Sequence, residues 1–496
     1  MIHRAIFPTT RPAWARSADT GRVSTDARPG PSNLIIDLAQ VPDRGTSPDQ
    51  RLLFGGYLSH PTQTAAALLL LGRVARHRFY LPPGMVAAKI ASSDPVVTTS
   101  RDQLRFESFS ACCGMALRYD VTADGIDNPP LRHGSTNIDL TGPTRVALAG
   151  VQGIDPLHLR ISDKADEAVT FTTFDHTVSE PKAPLPQRWV RGFAEAQAIG
   201  AGLTPRTQIS SAEARRFWRT LPRHDSGRSA LFVSIGGRGL GLTGTPGPHA
   251  VPLGGPSRLR MIEPLLRYAS SVTIYGPSAG DAGSGASLWQ LDLADGRLSC
   301  ALSPTPARGF SGEGGLLHQL ADQDSTAYVE LLSHYLDEDH HGELLLPAEL
   351  ATRLNLSAEQ VRGALTTLAA SGTVGYDAAL GGYFHRELPW TVEGAEALNP
   401  RLVAARKLVA EGSVTITPGA ENIVEVRHGD SQHRVRGHGL SATCTCPWIA
   451  QHGTSRGPCK HILAAVIFRG APALHTVAAG RTESFDRADF YDDDER

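Results

Sequence analysis

Two cysteines one residue apart, Cys444-Thr-Cys446, are followed after twelve intervening residues by Cys459-Lys-His461, a thiol and an imidazole at the same spacing. Three thiolate sulfurs and one imidazole nitrogen are a donor set that tetrahedral zinc takes. The two pairs can share one ion if the first leaves a strand, the second opens a helix, and the segment between them doubles back. Residues 447–458 carry Pro, Gly, Ser and Thr and read as a loop able to do that. Four protein ligands fill the coordination sphere and leave no position for water or substrate, so the one Zn2+ expected here is structural rather than catalytic. The competing interpretation, three unrelated core thiols beside a histidine, requires four ligand-type residues to fall into two tight pairs by accident.

The neighbouring pattern agrees with this. Strands are predicted over 413–416, 423–426 and 431–436, and Ile462 and Val466, four apart, predict a helix over 460–468. The spacing Cys444-x-Cys446-x12-Cys459-x-His461, with those elements around it, resembles the SWIM zinc finger over about the last sixth of the chain. That resemblance implies a small module of strands plus one helix around one zinc ion. It also implies a role in DNA binding or protein interaction, as for the SWIM modules of chromatin-remodelling ATPases and Mutator-type transposases. Two further stretches, Glu107-Ser-Phe-Ser-Ala-Cys-Cys-Gly114 and Gly134-Ser-Thr-Asn-Ile-Asp139, are similar to parts of bacterial SWIM zinc finger proteins.

At 496 residues and 41% hydrophobic content, the chain is too long for one core. It is expected to fold as an α+β multidomain protein, at ~100–200 residues per domain. A net charge of −2 and a pI near 6.8 give no whole-molecule attraction to nucleic acid or to an acidic membrane, so any such binding must be local. Six cysteines, three of them in the metal set, make a disulfide framework unexpected and point to a reducing cytoplasmic location. Neither a secretory signal nor a membrane span is expected: residues 1–30 lack an apolar core, and the apolar run 65–71 is far shorter than the ~20 residues a spanning helix needs.

The divisions expected are a disordered extension over 1–55, strand-rich α+β units over 56–180 and 186–310, a helical and winged-helix-like unit over 311–395, the zinc module over 400–470 and a flexible acidic tail over 471–496. A helix is predicted over 62–76, and short strands such as 105–109 and 115–119 follow. Cys112, Cys113 and Cys300 read as small core thiols, since no partner of metal-binding type stands near them in sequence. After the Pro-rich joint 181–186, a helix is predicted over 187–198. Ser210-Ser-Ala-Glu213 is a capping box that starts another helix, running toward Trp218. Strands over 230–235, 239–242, 271–275, 289–293 and 298–303 complete the second unit.

Two strings in that unit imitate catalytic motifs. Gly239-Leu-Gly241-Leu-Thr-Gly244 fits the dinucleotide fingerprint, but Pro246, Pro248 and Pro252 stand where a phosphate-binding helix should begin, so a hairpin is expected. Gly276-Pro-Ser278-Ala-Gly280 fits a nucleophile elbow, yet a Gly-rich loop follows instead of a helix. The acidic run ending in His340 and His341 reads as a solvated loop. No convincing catalytic centre emerges.

Residues 344–346 read as a strand, 347–354 as a helix, and Ser357-Ala-Glu-Gln360 as a second capping box opening a helix that Gly372 ends. A hairpin over 373–376 and 382–385 then completes a winged-helix-like pattern. Its charge argues against duplex binding, because Glu343, Glu349, Glu359, Asp377 and Glu387 outnumber Arg353, Arg362 and Arg386. The zinc module is the opposite: Arg427, Arg434, Arg436, Arg456, Lys460 and Arg469 outnumber Glu411, Glu421, Glu425 and Asp430. The reading that follows is a zinc-binding protein that joins a larger complex through protein partners, with nucleic acid as a candidate ligand of the zinc module. The alternative is an enzyme whose site is an apolar pocket with convergent titratable groups within 56–310.

Overall fold

The computed structural model describes residues 51–81, 95–183, 187–225, 231–237, 239–278, 285–304, 315–321, 326–337, 342–388, 399–438, 441–453 and 457–470, with short pieces at 185, 309–310 and 340. The expected extension and tail therefore lie outside the described residues, except that strand β1 (Leu52–Tyr57) already begins inside the segment expected to be disordered. Helix α1 (Pro61–Arg76) follows, with Pro61 in its first turn, where the missing N–H costs nothing.

Next come β2 (Val96–Ser100), β3 (Gln103–Phe109), β4 (Met115–Val121), β5 (Gly134–Asn137), α2 (Gly142–Gly150), β6 (His158–Ser162), β7 (Val169–Thr172) and β8 (Thr177–Glu180). Beyond the Pro-rich joint lie α3 (Gln187–Gly200), β9 (Leu203–Ser210), α4 (Ser211–Thr220), β10 (Leu231–Gly236), β11 (Gly239–Thr243), β12 (Ala250–Leu253), α5 (Pro256–Arg260), β13 (Ser271–Pro277), β14 (Ser287–Leu293) and β15 (Gly296–Leu302). The Ser210–Glu213 capping box forms in both directions at the start of α4.

These two stretches do not have separate cores. One antiparallel sheet of eight strands runs β5-β2-β3-β4-β15-β14-β13-β9, joined where β4 pairs with β15 from Gly296↔Val121 to Leu302↔Met115. The boundary expected at 181–186 is thus a connection within one fold. The reason is pairing between strands far apart in sequence, which local periodicity does not reveal. The strands of two smaller sheets, β1-β6-β7-β8 and β11-β10-β12, are interleaved in sequence with those of the large one; β11 is the hairpin strand expected in place of a phosphate loop. The second half of the Gly276–Gly280 string lies outside the described residues.

Side-chain alternation gives the large sheet two unlike faces. Leu104, Phe106, Leu117, Tyr119, Trp289, Leu291, Leu298 and Cys300 join a buried core with Leu68 and Leu71 of α1 and Trp218 of α4. The opposite face carries Arg105, Glu107, Arg118, Asp120 and Arg297, and it too is closed over. What covers it comes from the next segment: α6 (Gly315–Ala321), α7 (Thr326–Asp337), β16 (Leu344–Leu345), α8 (Pro347–Arg353), α9 (Ala358–Ser371), β17 (Val374–Asp377) and β18 (Gly382–His385). The Ser357–Gln360 capping box starts α9, and Gly372 caps its end at φ 85°, a left-handed conformation that glycine adopts without strain.

Asp377 enters that charged face. It is fully buried, meets Arg118 and Arg297 at 3.0 Å each, and accepts the backbone N–H groups of Ala379 and Leu380 at 3.0 and 3.2 Å. Arg386, also fully buried, pairs with Glu107 at 2.8 Å. The Phe384 ring lies under the Arg105 guanidinium, 3.8 Å from ring centroid to Cζ. That ring rests on Gly375, its register partner across the hairpin. A Cβ at position 375 would strike the ring, so Gly375→Ala should cost about 1–3 kcal/mol, measured as a lowered denaturation midpoint. An unchanged midpoint would mean that the ring has room to move.

The chain ends in α10 (Pro400–Ala410), β19 (Val414–Thr417), β20 (Ala420–His428), β21 (Ser431–Arg436), β22 (Thr443–Cys444), α11 (Pro447–His452) and α12 (Lys460–Gly470). The four strands form one antiparallel sheet in sequence order. Helix α11 corrects the loop expected over 447–458: residues 447–452 are helical, with Pro447 in the first turn.

Candidate metal centre

Sheet β19–β22 packs its inner residues Val414, Val424, Val426 and Val435 against Leu402 and Leu408 of α10 and Ile462 and Leu463 of α12. The same buried cluster includes Leu316, Leu317 and Leu320 of α6 and Ala194 of α3. The module is therefore seated on the rest of the molecule through shared apolar surface, not hung from a linker.

The four residues singled out by spacing meet at the end of this sheet. Cys444 closes β22, Cys446 is the residue before α11, Cys459 directly precedes α12, and His461 lies in its first turn. Ligand atoms from all four lie within 4.8 Å of one another, and all four residues are buried. The Cys444 and Cys459 sulfurs are 3.8 and 4.0 Å from His461 Nδ1. Zinc bonds of ~2.3 Å to sulfur and ~2.0 Å to nitrogen at a tetrahedral angle place S and N about 3.5 Å apart, so these two separations are within about half an ångström of ligand geometry.

The chemistry of the sulfurs agrees with the geometry. Hydrogen bonding from Cys444 brings the Cys459 thiol down to about 4 against the opposing effect of burial, and contacts with His461 and the Ile462 N–H add to it. Cys444 is raised because its proton serves Cys459 and because it is buried; burial raises Cys446. One thiolate is thus held ready by its neighbours, and a cation would draw the remaining protons off.

Arg401 of α10 holds both arms. Its guanidinium donates to the carbonyl of Pro458 at 2.8 Å and lies over the Trp448 ring at 4.9 Å, touching the residue before Cys459 and a residue of α11. Nothing in the ligand spacing points to Arg401. Nε2 of His461, turned away from the sulfurs, is buried and has no hydrogen-bond partner among the described residues, and the ring packs on His433 at 4.3 Å between centroids. Burial and His461 hold His433 below the usual imidazole range.

Residues 429–470 match the SWIM zinc finger family model, and no curated protein matches the chain. The matched stretch holds β21, β22, α11, α12 and all four clustered residues. A SWIM zinc finger with this cluster is consistent with a single structural Zn2+. Arg456, counted in the basic balance of the module, lies outside the described residues.

The other cysteines stay apart from this set. Cys113 and Cys300 are buried free thiols, Cys113 pushed up to about 12 by burial and Cys300 raised by the same cause. Cys112 departs from the buried core thiol expected. It is only half-buried; burial would raise it, but hydrogen bonds from Ser110 and the backbone of Gly114, Phe79 and Tyr80 bring it below the ordinary thiol value. His340 stacks on Tyr335 at 4.0 Å, and His341 lies outside the described residues.

A cavity of about 80 Å3 lies between the charged face of the large sheet and α3, lined by Phe109, Phe193, Gln197, Leu203, Leu288 and Tyr376. Its charged lining groups are already engaged, Glu107 with Arg386 and Arg118 with Asp120 and Asp377. Among the described residues no helix is long and apolar enough to cross a membrane.

Proposed function

We propose that the chain is a binding protein in which Cys444, Cys446, Cys459 and His461 hold one structural zinc, and that the zinc module docks protein partners within a larger complex. The observation that carries this reading is the fate of the winged-helix-like unit at 342–388. In such a unit, DNA would be read by a recognition helix in the groove and a wing alongside it. Here α9, in the place of the recognition helix, is buried along Val361, Ala364, Leu365, Leu368 and Ala369, and the β17–β18 hairpin, in the place of the wing, is clamped to the large sheet through Asp377 and Arg386.

The surface left for a partner is the outer face of β20 and β21. Arg434 pairs there with Glu425 at 3.1 Å, while Arg427 and Arg436 are exposed beside them. This basic face is also where nucleic acid would bind. The test is capture of the tagged full-length protein from its native cell, with and without nuclease: partners retained after nuclease support the protein-docking reading, and partners lost sink it.

For the winged-helix-like unit at 342–388 the expected outcome is duplex DNA binding no tighter than a nonspecific control. A steep salt dependence abolished by Arg362→Ala would show that the 342–388 unit reads DNA after all. An enzyme site within 56–310 is the second reading, with the cavity beside α3 as one candidate place for it. The engagement of Glu107 and Arg118 in ion pairs weighs against it.

A further inference from the structure

Away from the zinc finger, three more ligand-type side chains meet. His133, His385 and Glu387 each offer one ligand atom, and those atoms lie within 4.8 Å of one another. His133 directly precedes β5, the edge strand of the large sheet; His385 ends β18, and Glu387 follows two residues later. The backbone on both sides is pinned. Glu387 N–H donates to Ser135 Oγ of β5 at 3.2 Å, and Arg386, between the two ligand residues, is fully buried on Glu107. His385 is 4% exposed, His133 half-buried and Glu387 exposed, so the group opens to solvent on the carboxylate side.

We propose that His133, His385 and Glu387 form a second metal site, separate from the finger, that takes a divalent cation of the zinc, nickel and copper group. Two imidazole nitrogens and one carboxylate oxygen suit those ions; calcium and magnesium prefer all-oxygen sets. Three protein ligands leave a coordination position to water, so this ion exchanges where the closed finger site does not. The two histidine rings now stack at 4.4 Å between centroids, 19° from parallel, which sets their nitrogens side by side. Coordination therefore turns one ring. His385 is buried at the end of β18, so the ring that turns is that of His133, which stands in a loop and is less buried, and the exposed Glu387 side chain swings to complete the set. The ion would tie the β17–β18 hairpin to the edge of the large sheet.

The test is Zn2+ titration of the full-length protein, dialysed so that only tightly held metal remains, against a chromophoric chelator of known affinity. Wild type should take up a further equivalent and gain thermal stability as it does so. Glu387→Gln and His385→Ala should weaken that equivalent by about tenfold or more, since altering even the outer partners of a ligand costs about 10–100-fold, and the retained finger zinc should be unaffected. If His385→Ala fails to fold, the exposed Glu387→Gln decides. No further equivalent in wild type, or one that Glu387→Gln leaves at full affinity, overturns the proposal.

Discussion

Removing the finger zinc should unfold the C-terminal module while leaving the eight-stranded sheet intact. Among the described residues the module has four strands and three helices, one of them the six-residue α11, and its buried apolar residues are mostly valines, alanines and the ligand cysteines themselves. So small a core supplies little stability alone, whereas structural zinc contributes about 10–16 kcal/mol of apparent folding energy in finger peptides. Hydrogen exchange with and without chelator is the measurement, and protection should fall across about 400–470.

The shared core adds a second expectation, that α6 (Gly315–Ala321) loses protection with the module, because Leu316, Leu317 and Leu320 pack into the same cluster. The large sheet contributes none of its strand residues to that cluster and should keep its protection. Metal analysis gives an independent reading: after dialysis, Cys459→Ser should retain well below one zinc per chain and Cys112→Ser should match wild type. Equal loss of protection over the whole chain would mean that the ion integrates a single cooperative unit; full protection without metal would mean that packing alone suffices.

What could be foreseen follows from how locally each feature is encoded. The ligand quartet lies within 444–461, and both capping boxes and the Gly372 cap are settled within one helical turn. Pairing of β4 with β15 has no such local mark. Nor has β9, which carries Pro205 and tolerates it as the edge strand of the sheet, where a missing N–H breaks no ladder. Helix α11 was hidden because Pro447 marks a helix start as readily as a loop. The least visible feature was the charged face. Arg105 alternating with Phe106, and Arg118 with Tyr119, has the pattern of a half-solvated strand, yet here the polar side is buried because Asp377 and Arg386 arrive from a distant segment to neutralise it. Period-two patterning reports that a strand has two unlike faces and says nothing of what covers the polar one.

That neutralisation makes Asp377 the residue whose loss should be felt most outside the zinc site. Three guanidinium groups, from Arg105, Arg118 and Arg297, share two carboxylates, Asp120 and Asp377, in a region with almost no solvent. Asp377→Asn keeps the side chain's size but leaves Arg118 and Arg297 facing each other with Asp120 alone, and breaking a buried pair from one side costs about 3–5 kcal/mol. By contrast, Glu343→Gln, which removes the partly exposed partner of Arg353, should cost under about 1 kcal/mol. The acidity of Asp377 gives a second readout. Burial would raise it, but Arg118, Arg297 and Arg105 outweigh burial and hold it at about 2, below its ordinary 3.8. A carboxylate whose value is depressed on folding contributes stability above its unfolded value and loses it as pH falls through the folded one. The contribution should be constant above about pH 4 and disappear between about pH 4 and 2, amounting to about 2 kcal/mol. Exchange of the amides of Val374–Asp377 and Gly382–His385 reads both effects, because the hairpin is what the pair secures. Opening of that hairpin should rise by about two orders of magnitude or more in Asp377→Asn at neutral pH, at 1.4 kcal/mol per factor of ten. If hairpin protection were the same in Asp377→Asn as in wild type, the clamp would have to reside in the Arg386–Glu107 pair and the packing of Phe384 instead.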